Sequence, residues 1–290
     1  MIRALSSVSK YFSLVRFSHT VFAMPFALIG FSIAVADERY SFSIRLLLLI
    51  LLCMIFARNA AMGFNRLVDR KFDALNPRTM NREIPAGVIG PKSATVFVII
   101  NAILFIITTA FINTLTLYLS PVALLIVLGY SFTKRFTSLS HFILGLGLSL
   151  APIGAYISVT GEFSLLPLIF SIIVITWVSG FDIIYALQDD DFDRSNKLYS
   201  IPSATGRKKA LAISLFVHFL TFQLVIVAGI TGQAGWLYWV GATCFTVLLI
   251  YQHIIVKPDD LRRVNMAFAT TNGVGSAVFA VFTIIDLLSR

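Results

Sequence analysis

The sequence is poor in charge: Lys, Arg, Asp and Glu together make up 13% of its 290 residues, and no polar stretch between apolar runs is long enough to fold as a soluble domain. Cysteine is scarce as well. Cys53 and Cys244 each lie within an apolar run, so buried thiols are expected and a disulfide framework is excluded. The four histidines, His19, His141, His218 and His253, are scattered singly, which argues against a haem or zinc centre and for packing or interface roles. No convincing small-residue cleavage site follows the first apolar segment, which is also too long for a removed signal, so it is expected to stay with the chain.

What is present is apolar. Hydrophobic residues make up 58% of the chain, and the mean hydropathy is +0.87. Stretches long enough to cross about 30 Å of hydrocarbon recur throughout. The sequence therefore predicts one all-α integral membrane domain over residues 1–290, with nine spans at 17–36, 43–68, 92–112, 115–133, 141–160, 164–188, 209–230, 235–255 and 266–287. Ile2, Leu5, Val8 and Phe12 give residues 1–15 the pattern of a short interfacial helix. The net charge of +9 reads as basic loops beside an anionic leaflet, not as a nucleic-acid surface, and no obligate protein partner is implied. Bases crowd the loops after spans two, four, six and eight, whereas the opposite side offers only Arg39, Arg45 and Arg290. By the positive-inside rule those loops are cytoplasmic, as expected for a multi-pass protein of the cell inner membrane.

The stretch 65–87, NRLVDRKFDALNPRTMNREIPAG, breaks the apolar text with three acids, five bases and three asparagines. Asn65, Asp69 and Asp73 stand four apart and so share one helical face. Pro77 should end that helix, leaving Arg78 and Arg82 in a basic loop. A solvated loop would account for this stretch alone, but Asp189 and Asp193 follow 120 residues after Asp69 and Asp73, again at the polar end of an apolar run. Asp182, Tyr185, Asp189 and Asp193 are spaced three, four and four apart, which is also one face.

Two acidic faces at equivalent helix ends, with many bases nearby and lipid behind them, suit a diphosphate ester. Magnesium takes one or two carboxylates plus phosphate oxygens, so ions between Asp69/Asp73 and Asp189/Asp193 would neutralise the diphosphate, with Arg78, Arg82, Lys134 and Arg135 as direct donors. An isoprenoid tail would lie in the apolar interior. Loss of diphosphate would leave an allylic cation that the faces of Tyr130, Tyr185 or nearby Phe rings could stabilise. Arg16 and Arg58, set within spans one and two, could anchor an acceptor that carries a carboxylate; for Arg58, a bond to Asp69 or a helix end is equally open. The glycines of span five, Gly145, Gly147 and Gly154, suggest close helix packing beside Pro152.

These residues also carry a resemblance. The runs N-x-x-x-D-x-x-x-D and N-P-R-T-x-N-R-E-x-P-x-G, the later Y-x-x-x-D-x-x-x-D, and YSFTKRFT at Tyr130 to Thr137 are similar to the UbiA-type intramembrane prenyltransferases, especially the 4-hydroxybenzoate polyprenyltransferase branch. The resemblance covers essentially the whole chain. It implies nine helices around a central cavity open to the cytoplasm, a Mg2+ cofactor, a polyprenyl diphosphate donor and an aromatic acid acceptor in ubiquinone or menaquinone biosynthesis. It also implies that Asn65, Asp69 and Asp73 form the first metal–diphosphate motif, and Asp189 and Asp193 the second. Arg78, Arg82, Lys134, Arg135 and Tyr185 match positions near the diphosphate, and Arg16 and Arg58 match positions near the aromatic acceptor, where Tyr130 is also expected. Asp190 and Asp191 extend the second motif to DDDFD, which leaves open which two of its acids face the metal, and NREIPAG departs from the commoner NRPLPSG. A branch acting on 1,4-dihydroxy-6-naphthoate in the futalosine menaquinone pathway resembles the chain about as well. From the residues alone, a cation-coupled transporter is the rival of another class; it calls for acids near the bilayer midplane on broken helices.

Overall fold

A computed structural model describes residues 10, 11, 13–15 and 23–290. Among these, regular structure is helical apart from one isolated bridge between Lys257 and Asp260. The helices are α1 (Met24–Val35), α2 (Ile44–Leu75), α3 (Pro91–Ala110), α4 (Thr114–Thr133), α5 (Ser140–Thr160), α6 (Leu165–Ala186), α7 (Asp190–Ser195), α8 (Ile201–Thr205), α9 (Arg207–Thr231), α10 (Trp236–Ile255) and α11 (Asn272–Leu288). A 3-10 turn at Leu187–Asp189 joins α6 to α7, and a π turn at Met266–Thr271 leads into α11.

Counting those joined runs once, eight helices among the described residues are long and apolar enough to cross a membrane. The first of the nine expected spans begins outside the described residues and is seen as α1, a helix of 12 residues. The other expected spans fall on the eight long helices. Helix α2 runs to Leu75 although its apolar text stops near 68. Hydropathy marks where side chains change character, whereas the backbone continues until Asn76 turns extended before Pro77. The expected interfacial helix lies mostly outside the described residues. Its end, Leu14, is buried against Ile84, Ile89 and Ala94.

Helix α6 is the hub, with 72% of its apolar window buried against 17% for α2 and α4. It packs on α5 and α9, α5 in turn meets α1 and α4, and α2 packs on α3 and α4. A Cβ at Gly145 would stand 2.6 Å from the Ile175 carbonyl oxygen, so the close approach of α5 to α6 requires glycine there. Trp177 anchors the main core between Phe26 (5.1 Å between ring centroids), Phe181 (5.1 Å) and Phe245 (5.8 Å). Its indole N–H donates to Asn272 Oδ1 at 3.0 Å, and Asn272 Nδ2 donates to the Ala267 and Phe268 carbonyls within the π turn. Carbonyls displaced from helical pairing need such donors where water is excluded. Leu125, Ile230 and Ile254 are exposed on the outer surface, as a lipid-facing bundle requires.

The histidines are less solitary than their spacing suggests. His218 Nδ1 lies 2.9 Å from His253 Nε2 between α9 and α10, and His141 Nδ1 lies 2.7 Å from Asp182 Oδ2 between α5 and α6. Residues distant in sequence meet because antiparallel helices bring them level, which single-residue spacing cannot show.

Candidate active site

The polar ends of α2 and α6 meet. Asn76, the residue that stops α2, donates from Nδ2 to Asp189 Oδ1 at 3.0 Å, a contact across 113 residues of sequence. Its own side-chain oxygen accepts the Arg78 backbone N–H at 2.9 Å, which bends the chain so that the Arg78 guanidinium returns to Asp189. Arg78 Nε donates to Asp189 Oδ1 at 2.9 Å, Nη2 pairs with Oδ2, and Nη1 donates to the Tyr185 hydroxyl at 3.0 Å. The loop then turns back through Gly87, whose φ of 73° lies in the left-handed region that favours glycine.

Each of the other motif acids also faces a base. Arg82 Nη1 donates to Asp73 Oδ1 at 2.6 Å. Arg135 Nη2 is 3.5 Å from Asp69 Oδ1, and Lys134 Nζ is 3.6 Å from Asp193 Oδ2. Asn65 Nδ2 donates to Asp69 Oδ2 at 3.0 Å. Arg135 is held over the rings of Phe72 and Phe132, with its guanidinium carbon 5.6 Å and 5.5 Å from their centroids. The loop carrying Lys134 is tied to the second motif by the Tyr199 N–H, which donates to the Lys134 carbonyl at 2.7 Å.

Burial works against the charge of Arg78, but its hydrogen bond to Asp189 and that carboxylate's field outweigh it, so its pKa lies above the ordinary arginine value. Lys134 behaves in the same way. Desolvation lowers its pKa, and the carboxylates of Asp193, Asp182, Asp189 and Asp69 raise it by more, so it stays an ammonium.

These groups line a chamber of about 280 Å³. It shares Arg58, Met62, Tyr130, Leu144 and Leu148 with a second, apolar cavity of about 380 Å³ that runs on through the bundle to Phe163. Arg58 therefore stands where charged and apolar space meet. Its Nε is buried without a hydrogen-bond partner. Among the described residues no carboxylate pairs with Arg58, so the alternative of a bond to Asp69 is not what the structure shows. Arg16 lies outside the described residues.

In the DDDFD run, Asp189 and Asp193 line the chamber, whereas Asp190 turns to Arg207 (2.8 Å) and Asp191 is exposed. On a helix, residues four apart return to nearly the same face, about 400° on, whereas the neighbours one and two positions along turn away by about 100° and 200°, so Asp189 and Asp193 share the chamber side and Asp190 and Asp191 do not.

Two carboxylate oxygens, Asp73 Oδ2 and Asp193 Oδ2, are buried without a hydrogen bond. Orphaned buried carboxylate lone pairs are the donors a hard divalent cation takes. Among the described residues no three of His, Cys, Asp and Glu converge as a preassembled metal cluster. The acids are presented as pairs, which fits magnesium shared with phosphate oxygens. Sequence reasoning missed Asn76 as a lining residue of this chamber, and missed that His141 bonds to Asp182 from behind its wall. Asn76 was legible as the residue before a helix-stopping proline, whereas nothing in the spacing linked His141 to Asp182.

Fold and cavities define the class: a multi-span helical membrane protein in which a charged chamber opens into an apolar one. The chain belongs to the UbiA prenyltransferase family, whose model matches residues 23–275, and it is a prenyltransferase. It is 30% identical over 82% of its length to the 4-hydroxybenzoate octaprenyltransferase of Aliivibrio salmonicida, covering 83% of that protein. A UbiA homolog from Aeropyrum pernix K1, in its apo form, superimposes with a TM-score of 0.80 at 29% identity, over 93% of this chain and 97% of that one. A UbiA homolog from Archaeoglobus fulgidus bound to GPP and Mg2+ shares the fold, with a TM-score of 0.73 at 22% identity over 97% of this chain and 100% of that one. The midplane acids that a transporter calls for are not what the chamber presents, since its four motif acids sit at helix ends beside basic loops.

Proposed function

We propose that this enzyme transfers a polyprenyl group from a polyprenyl diphosphate to a hydroxylated aromatic acid of the 4-hydroxybenzoate kind, in quinone biosynthesis. One observation carries the reading: a chamber in which four acids are matched to four bases opens, at Arg58 and Tyr130, into apolar space for a tail. The name of the Aliivibrio salmonicida relative supports an aromatic acid acceptor.

Asn65, Asp69, Asp73, Asp189 and Asp193 would hold magnesium. When bound, the metal neutralises charge as it builds on the leaving diphosphate. Arg78, Arg82, Lys134 and Arg135, now shared with the acids, would turn part of their donor capacity to phosphate oxygens. Tyr130, which lines both the chamber and the apolar cavity, and Tyr185, which lines the chamber, would offer their rings to an allylic cation, for Tyr185 once Arg78, now 5.3 Å over its ring, turns to phosphate. Arg58 and Arg16 would take the acceptor carboxylate. For Arg58 the reason is physical, because a guanidinium buried without an anion gains most from receiving one. The weight of bases at the chamber end supports a chamber that faces the cytoplasm of a chain set in the cell inner membrane.

The test is an assay in detergent with geranyl diphosphate and a panel of aromatic acids, including 4-hydroxybenzoate and 1,4-dihydroxy-6-naphthoate, read by product mass. Product should form with 4-hydroxybenzoate, need added magnesium and stop on chelation. Product from the naphthoate alone would move the enzyme to the futalosine branch. Diphosphate release with no aromatic product would overturn the acceptor class.

A further inference from the structure

One chamber acid is unlike the rest. Asp69, Asp73, Asp189 and Asp193 each face an Arg or Lys, whereas Asp182 is bonded to an imidazole. A guanidinium fixes a carboxylate in its charged form, but a neutral donor orients it without adding a full positive charge. His141 is such a donor. Its ring is completely buried, and Nε2 lies 3.3 Å from the Ile201 backbone nitrogen. That N–H can only donate, so Nε2 holds a lone pair and the ring proton sits on Nδ1, 2.7 Å from Asp182 Oδ2. The imidazole is therefore neutral, and Asp182 accepts from it.

The Asp182 side chain keeps 18% of its surface open and lines the same chamber as Arg58 and Tyr130. It precedes Asp189 by seven residues, roughly 10 Å along a helix axis, which sets it deeper than the motif acids, toward the apolar cavity.

We propose that Asp182 takes the proton the acceptor ring loses when it is alkylated, and that His141 is the positioning residue that aims it. The inference rests on the aromatic-acceptor reading above. As the allylic C–O bond breaks, its electron pair leaves with the diphosphate. A π pair of the ring forms the new C–C bond, leaving a hydrogen on the now tetrahedral ring carbon. That C–H pair returns to the ring, and the proton passes to the Asp182 carboxylate, which becomes a carboxylic acid and later releases the proton to water at the chamber mouth.

The test compares the wild type with Asp182→Asn, Asp182→Glu and His141→Gln, using acceptor that is protiated or deuterated at the alkylated ring position. The carboxamide of Asp182→Asn can still accept from His141, so the donor KM should hold while kcat falls on the order of 100-fold or more. A primary isotope effect, small in the wild type, should appear in that variant because proton loss becomes slow. Asp182→Glu should recover part of kcat, and His141→Gln should lower kcat about tenfold and also raise the isotope effect. A kcat in Asp182→Asn within twofold of wild type would overturn the proposal, and so would a large loss with no new isotope effect or with a matching rise in donor KM. Absence of aromatic product from the wild type would reject the acceptor reading first, and this inference with it.

Discussion

The two acidic motifs have the same spacing, 120 residues apart, but not the same build. Asp69 and Asp73 stand on one uninterrupted helix, whereas the helix bearing Asp189 and Asp193 changes pitch through a 3-10 turn between Leu187 and Asp189. The first motif takes one base, Arg82, from the loop that follows it and one, Arg135, from the loop between α4 and α5, while the second takes both of its bases, Arg78 and Lys134, from those same two loops. The second motif also carries two extra acids, which helical spacing turns away from the chamber. Equal spacing therefore does not mean equal support. The first motif rests on a continuous helix and has one base in its own loop, whereas the second relies on other elements for both.

The largest effect should come from removing a chamber acid from either motif. Asp69→Ala and Asp193→Ala should each lower turnover on the order of 1,000-fold, since a lost metal ligand leaves the departing diphosphate uncompensated. Both variants should remain folded, because the base each acid faces, Arg135 or Lys134, is more than a third exposed and can be rehydrated. Near-normal turnover in one variant only would show that a single motif holds the metal, which would break the pairing of the two.

Arg58 tests the region between the motifs and the apolar cavity. Arg58→Ala should raise the acceptor KM about 10- to 100-fold, the worth of a charge-assisted bond of about 1.5–3 kcal/mol, with a much smaller change in donor KM. Steady-state kinetics varying each substrate in turn separates the two, and an unchanged acceptor KM removes Arg58 from that role.

Much of this was legible in the sequence, for reasons that also mark where legibility stops. Helix spans follow from hydropathy because lipid leaves a segment no alternative partner for its backbone. Asn65, Asp69 and Asp73 could be placed on one face because a continuous α-helix has one period. For the relation of Asp189 and Asp193 to Asp182 and Tyr185 the same arithmetic holds only approximately, since a 3-10 turn that no propensity announces lies between Tyr185 and Asp190. The bond between Asn76 and Asp189 and that between His141 and Asp182 are tertiary facts, fixed by how α2, α5 and α6 lie against one another. Glycine at 145 hinted at the α5–α6 contact but not at what it would align.

The finest distinction lies inside DDDFD. Asp190 is buried, accepts Arg207 Nε at 2.9 Å and Nη2 at 2.8 Å, and has Arg194 within 3.6 Å, so it braces the second motif from behind. Asp190→Ala should therefore cost about 1–2 kcal/mol of stability, seen as a lower melting temperature, with turnover per folded molecule within a few-fold of wild type. Asp191 also reaches Arg207, at 3.0 Å, but its side chain is 81% exposed. Water replaces such a contact almost without loss. Asp191→Ala should then change stability by less than about 0.5 kcal/mol and leave kcat unaltered. If Asp191→Ala instead silenced the enzyme while Asp189→Ala did not, the metal-facing residues would be displaced by two positions along the run. Only a rotation of the chain after Leu187, relative to the rest of the bundle, could exchange which acids enter the chamber in that way.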